Sequence, residues 1–175
     1  MHATALESLL PYLTPTERNP APRSLDIGSG SGYLTHVMAE LSGERGVVVG
    51  IEHIDALRRL GEENLSHSEE GRRLLESGRV RFRTGDGRLG WREEEEEAAG
   101  VPAGWDAIHV GASAAAVHQE LLDQLRAPGR MFIPVDDDHG GFGQHVWAID
   151  KDENGVVTKK KLFGVRYVPL TDPPK

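Results

Sequence analysis

Hydrophobic positions change their spacing several times along this chain, and the changes mark out its elements. Ala3, Leu6, Leu9, Leu10 and Leu13 recur at helical intervals, which predicts a helix from almost the first residue to a stop by Pro15. Short apolar runs then alternate with helical stretches. The pattern predicts strands at Ser24 to Ile27, Val47 to Glu52, Val80 to Arg83, Trp105 to Val110 and Arg130 to Val135. It predicts helices at Tyr33 to about Leu41, Asp55 to Leu65 and Ala114 to Leu125. Such alternation implies a parallel sheet with helices on both faces. The C-terminal part changes style. Gln144 to Ile149 and Val156 to Val168 flank Asp152-Glu153-Asn154-Gly155, whose Asn-Gly pair suits a tight hairpin turn, so an antiparallel edge is expected. The run Glu93 to Glu97 and the segment Pro102-Ala103-Gly104 lie between two strands and read as an enlarged solvated loop.

The strand ending at Ile27 leads into Gly28-Ser29-Gly30-Ser31-Gly32-Tyr33, a glycine-rich turn that opens a helix. Glycines 28, 30 and 32 let the backbone pass close under a bulky ligand, and Asp26 is expected to face the crevice where the strand emerges. A dinucleotide fingerprint would place its third glycine where Tyr33 stands. A carboxylate at Asp26 would also repel a pyrophosphate and attract a cation, such as the amino group of S-adenosylmethionine. Glu52 closes the apolar run Val47-Val48-Val49-Gly50-Ile51, where the second strand of such a fold offers a carboxylate to both ribose hydroxyls. These residues predict a class I S-adenosylmethionine-dependent methyltransferase sheet, Rossmann-like, mostly parallel and finished by the antiparallel hairpin.

Composition narrows the setting. A chain of 175 residues, 38% hydrophobic, suits one domain with a sizeable core. The net charge of -8 and the lack of a basic stripe disfavour a nucleic-acid partner. With no cysteine, a disulfide framework and a thiolate zinc site are excluded, and a reducing compartment is compatible. No segment has the character of a signal peptide or a membrane span, so a cytoplasmic protein without a membrane partner is expected.

Other clusters carry less. Gly85-Asp86-Gly87 follows the third strand: Asp86 could accept from an adenine amino group while Gly87 lets the ring approach, or the triplet is an ordinary turn. After the fourth strand, Ile108-His109-Val110-Gly111-Ala112-Ser113 presents small residues, Gly111 and Ala112, where an acceptor would enter. The Asn or Asp with prolines and an aromatic used to stack a base is missing there. His53 is either a ligand contact beside Glu52 or an exposed histidine at a strand end. Asp136-Asp137-Asp138-His139 with His145 is the only dense group of metal-ligand types, and its glycine-rich surroundings argue against a metal site. Ser29 and Ser31 belong to the cofactor turn, with Ser31 a donor to the ligand's carboxylate, and no serine-nucleophile elbow can be assembled. Lys159-Lys160-Lys161 is read as solvated hairpin surface, with Arg166 a possible charge for an anionic acceptor.

Together the segments from Leu25 to Thr35, Gly50 to Ile54, Gly85 to Arg88, Trp105 to Ala112 and Tyr167-Val168-Pro169-Leu170-Thr171-Asp172 resemble, in order, the protein-L-isoaspartate (D-aspartate) O-methyltransferases. The closing block is the most distinctive of them. The resemblance implies methyl transfer from S-adenosyl-L-methionine to the carboxylate of isoaspartyl residues in damaged proteins and peptides. It implies Ser31, Glu52, His53, Asp86 and Gly87 as cofactor positions, and Thr171 as a residue that helps close the site. Met1-His2-Ala3 matches the end of the family's Ser/Thr-Ala-Pro-His-Met-His-Ala motif, with His2 its remaining cofactor contact. The hydroxyl residue assigned the active-site role then has no counterpart in this chain. The resemblance thus implies an N-terminally truncated, single methyltransferase-like domain, expected to be monomeric and to turn over poorly. A non-catalytic S-adenosylmethionine-binding or interaction protein is the alternative.

Overall fold

The computed structural model describes residues 1–93, 103–137 and 143–171. Helix α1 (His2–Leu13) precedes strand β1 (Arg23–Ile27), helix α2 (Tyr33–Leu41), strand β2 (Val47–Glu52), helices α3 (Asp55–Ser66) and α4 (Glu69–Glu76), and strand β3 (Val80–Thr84). After a 3-10 turn at Gly87–Leu89 come strand β4 (Trp105–Val110), helix α5 (Gln119–Gln124) and strands β5 (Leu125–Asp136), β6 (Gln144–Lys151) and β7 (Val157–Val165). The sheet order is β3-β2-β1-β4-β5-β6-β7. β1 to β5 are parallel, and β6 runs antiparallel to both β5 and β7. This is the expected parallel sheet finished by an antiparallel hairpin.

Strand alternation divides the core into two layers, because successive side chains point to opposite faces. Val48, Phe82, Ala107 and Phe132 join Leu9 and Leu13 of α1, Met38 of α2, Leu65 of α3 and Leu74 of α4. Leu25, Ile27, Val49, Ile51, Ile108, Val110, Met131 and Ile133 form the opposite layer with Leu121 of α5 and Trp105. Nearly continuous apolar strands are what a sheet covered on both faces requires.

Five elements differ from expectation: β5 begins at Leu125 rather than Arg130, β7 stops at Val165 rather than Val168, and a helix, a shortened helix and the hairpin turn make up the rest. Helix α4 was not foreseen, since it buries only Gly71 and Leu74. It is nucleated by Ser68, whose hydroxyl accepts from the Gly71 amide at 2.9 Å, and a side chain at Gly71 would run into the Leu65 carbonyl. The helix predicted from Ala114 shrinks to Gln119–Gln124, because Ser113 and Ala114 form β-bridges with Pro169 and Val135. At the hairpin tip, Asp152 organises a turn longer than two residues. Its carboxylate accepts from the amides of Asn154 and Val156, and Gly155 adopts φ 79°.

Of the acidic loop, Glu93 is ion-paired with Arg83 at 3.1 Å, whereas Glu94 to Glu97 and Pro102 lie outside the described residues. So do Asp138, His139 and Asp172. Asp137 accepts from Lys161 and lies 2.9 Å from His145 Nδ1, and both interactions hold its carboxyl below the usual range. Among the described residues, no helix is long and apolar enough to cross a membrane.

Candidate cofactor cleft

The strand order reverses between β1 and β4, and open α/β sheets bind ligands at the carboxyl ends of the strands at such a point. A cleft of about 210 Å³ lies there, between the ends of β1, β2, β3 and β4. Its floor is two glycines. The Gly111 amide donates to the Ile27 carbonyl at 2.7 Å, and a Cβ on Gly111 would lie 3.2 Å from that oxygen and 3.3 Å from the Gly28 carbonyl. Gly28 takes φ 79°, a left-handed conformation that favours glycine, and its amide and that of Ser29 both donate to Ile51 O, at 2.8 and 3.0 Å. The tips of β1, β2 and β4 are therefore drawn together with no side chain rising from Gly28 or Gly111.

Glu52 is 5% exposed and lines the cleft. Its Oε1 accepts from the amides of His53 and Ile54, at 2.9 and 3.2 Å, and its Oε2 from the Gly30 amide at 3.2 Å. These donors fix the carboxylate and hold the glycine turn to the end of β2. A carboxylate offers about four acceptor sites, so capacity remains for a ligand hydroxyl. His53 stands beside it, Nδ1 3.2 Å from Oε1, and also lines the cleft.

Asp26 is elsewhere. The expectation that it faces the crevice fails: it is 1% exposed, accepts from the Thr35 hydroxyl at 2.5 Å and lies 2.8 Å from Nδ1 of His109. Its strand partner is Gly50, two residues deeper than Glu52, so α2 and β4 cover it. Its carboxylate ties the start of α2 to β1 and β4 beneath the glycine turn.

Asp86 also turns away. Arg88 grips both of its oxygens, Nε at 2.9 and 3.0 Å and Nη2 at 2.7 Å, and the Arg88 amide donates to it as well. The Arg88 guanidinium holds the Asp86 carboxyl below the ordinary carboxylate range. Gly85 and Gly87 of the same triplet do line the cleft. A Cβ on Gly87 would lie 2.2 Å from Cγ2 of Ile27, and one on Gly85 would lie 3.1 Å from the Trp91 ring. Gln124 supports this wall by accepting from the Trp91 amide and donating to the Leu89 carbonyl.

Of the residues expected to form the site, Gly28, Glu52, His53, Gly87, Gly111, Ala112 and Thr171 line one cleft. Gly30 contributes through its amide to Glu52. Ser29 is buried with its hydroxyl unpartnered, and Ser31 is exposed, its carbonyl accepting from Asn64. His2 is exposed, its ring 5.5 Å from that of Tyr33. Neither serine nor His2 lines the cleft. The walls missed by motif reasoning are apolar: Ile27, Ile51, Ile54 and Leu57, and the segment Val168-Pro169-Leu170. The first four look like ordinary core positions in sequence. The last three belong to the distinctive closing block, whose backbone pairs with Ser113.

The sequence profile of the family described as protein-L-isoaspartate(D-aspartate) O-methyltransferase matches residues 1–175. The chain belongs to this family. Among curated members, a Triticum aestivum protein-L-isoaspartate O-methyltransferase is 43% identical over 98% of this chain, and one from Caenorhabditis elegans is 44% identical over 98%. The chain spans 66% of the wheat protein, 68% of the nematode protein and 50% of an Arabidopsis thaliana relative. A Plasmodium falciparum structure assigned to the same methyltransferases, in complex with S-adenosyl-L-homocysteine, superimposes with a TM-score of 0.80. It is 32% identical, over 98% of this chain and 73% of that one. An S-adenosylmethionine-dependent O-methyltransferase from Thermotoga maritima, 19% identical with a TM-score of 0.55 over 78% of this chain and 44% of that one, shares the fold alone. The fold is that of class I S-adenosylmethionine-dependent methyltransferases.

Proposed function

We propose that this chain binds S-adenosylmethionine in the cleft and is a protein-L-isoaspartate O-methyltransferase, acting on the carboxylate of isoaspartyl residues in damaged proteins and peptides. The observation that carries the reading is Glu52. It is a nearly buried carboxylate at a topological switch point, oriented by three backbone amides and retaining acceptor capacity toward the cleft.

The residues fit that cofactor. Glu52 would accept from the ribose, with His53 beside it. Ile54, Leu57 and Ile27 give an apolar surface for a base, and Gly85 and Gly87 leave its edge unobstructed. The bound cofactor would supply an electrophilic methyl group. What this chain supplies is position: Gly28 and Gly111 form a floor without side chains, and Ala112 adds only a methyl group to the lining beside them. An isoaspartyl carboxylate is already ionised at neutral pH, so no group of the chain needs to take a proton from it. Orientation alone can supply on the order of 7 to 11 kcal/mol toward such a reaction. Family membership over the whole chain and the S-adenosyl-L-homocysteine carried by the Plasmodium relative support the assignment. A single-domain, cytoplasmic monomer that uses neither nucleic acid nor a membrane completes the reading, in keeping with the net charge of -8 and the absence of cysteine.

The test is calorimetric titration with S-adenosylhomocysteine and, in parallel, with NAD, together with a methylation assay on an isoaspartyl peptide. Heat with the homocysteine nucleoside alone and methyl incorporation are the expected results. Binding without turnover would make this a non-catalytic cofactor-binding protein. No binding of the nucleoside, with NAD binding instead, would overturn the proposal.

A further inference from the structure

Past β7 the chain does not simply end the sheet. Residues 166–171 leave the edge and return to the cleft, where Val168, Pro169, Leu170 and Thr171 form one of its walls. Two fastenings hold this strap. The first is a side chain. Gln144, the first residue of β6, pairs in the ladder with Val165, and its carboxamide reaches two residues further: Oε1 accepts from the Tyr167 amide at 2.5 Å and Nε2 donates to the Tyr167 carbonyl at 3.3 Å. It thus imitates one more backbone rung for a chain that has left the sheet. The second is backbone. The Ser113 amide donates to Val168 O at 2.8 Å, and the Leu170 amide donates to Ser113 O at 2.7 Å. Ser113 is itself anchored, its hydroxyl donating to Asp136 at 2.5 Å. The fastenings fall on consecutive residues, Tyr167 and Val168, so no slack separates them.

We propose that Gln144 is a positioning residue for the cofactor: without lining the cleft, it sets the strap that does. The inference rests on the reading of the cleft as an S-adenosylmethionine site. Gln144 holds only strap backbone in these contacts; Leu170 packs against the core at the far end of the strap, but Val168 between them is 71% exposed, so the stretch that enters the cleft wall is set by Gln144 on one side and Ser113 on the other. Releasing Tyr167 loosens a cleft wall while leaving the sheet ladder intact. The ligand should then leave faster, with its rate of entry changed much less.

Two variants remove the fastening from opposite sides. Gln144→Ala deletes the carboxamide, and Tyr167→Pro deletes the amide hydrogen while leaving Gln144 in place. Gln144→Ala should weaken S-adenosylhomocysteine binding about tenfold, the effect of two ordinary hydrogen bonds, and Tyr167→Pro, which removes one of the two, about fourfold, both mostly through the dissociation rate. Gln144→Glu keeps an acceptor for the Tyr167 amide but sets a carboxylate against its carbonyl, and should fall between wild type and Gln144→Ala. Lys159→Ala, on the exposed face of β7, should bind as wild type does. Thermal unfolding and titration are run on every variant. If wild type binds and either folded fastening variant binds within twofold of it, the inference is wrong. If wild type itself shows no binding, the reading of the cleft fails instead.

Discussion

Asp26 and Glu52 stand on neighbouring parallel strands, and motif reasoning places both on the rim of one pocket. The structure separates them. Glu52 lies one residue beyond Ile51, the partner of Ile27, at a level where β1 has already turned into the glycine loop; its carboxylate can therefore curl over the sheet edge and be caught by loop amides. Asp26 lies level with Gly50, within the sheet, where Thr35 and His109 close over it. Both are buried, but one lines the cleft and the other is consumed in holding the scaffold. The lesson is that a strand-end carboxylate binds ligand only if it projects past its neighbours, and a difference of two residues, about 6.6 Å along a strand, decides it.

Substitutions can break or sharpen this contrast. The largest effect is expected at the scaffold acid. Asp26→Ala would leave a buried hydroxyl and a buried imidazole without their shared acceptor, costing on the order of 3 kcal/mol of stability or more in a denaturant titration. The affinity of the remaining folded protein for S-adenosylhomocysteine should stay within about threefold of wild type. A large loss of affinity at unchanged stability would return Asp26 to the cleft. Next comes Glu52→Ala. Losing charge-assisted acceptors of about 1.5 to 3 kcal/mol should weaken S-adenosylhomocysteine binding roughly 10- to 150-fold by calorimetry. Stability should fall much less, because the amides of His53 and Ile54 can turn to water at the cleft. Unaltered affinity would remove the observation on which the proposed function stands.

The smallest effect is expected at Asp86, a third carboxylate, which the family resemblance implies as a cofactor position. Asp86→Ala should change S-adenosylhomocysteine affinity less than about twofold, and stability at neutral pH by less than about 1 kcal/mol, since the pair it breaks is partly solvated. Its pH dependence has a definite sign. Arg88 lowers the folded-state value below the ordinary 3.8, so the stabilisation is complete above that value and disappears as pH falls through the lower, folded one. The difference between wild type and Asp86→Ala, followed by denaturant titration, should hold constant from pH 7 to about pH 5 and vanish in stronger acid. A difference that instead grew on acidification would contradict the Arg88 pairing.

Much of this molecule was legible in the chain. β1, β2, β4, α1 and α2 fall within a residue or two of where apolar spacing and Gly or Pro punctuation put them, since those signals are local. Glu52 and the glycine turn could be recognised because the backbone there must pass close to a ligand. Helix α4 was hidden because it buries so little, and the helix after β4 was overestimated because its first residues are taken by Val135 and Pro169, partners distant in sequence.

What the amino-acid order determined by itself is the alternation of strands and helices, the sharp turn at Gly28 to Gly32 and the family to which the chain belongs. Tertiary structure alone decided which carboxylate meets the cleft, and that Gln144 and Ser113 carry the C-terminal strap to it. The reason is physical: periodicity and turn chemistry act within a few residues, whereas the depth of a side chain in a sheet and the anchoring of a strap depend on which distant segments lie alongside.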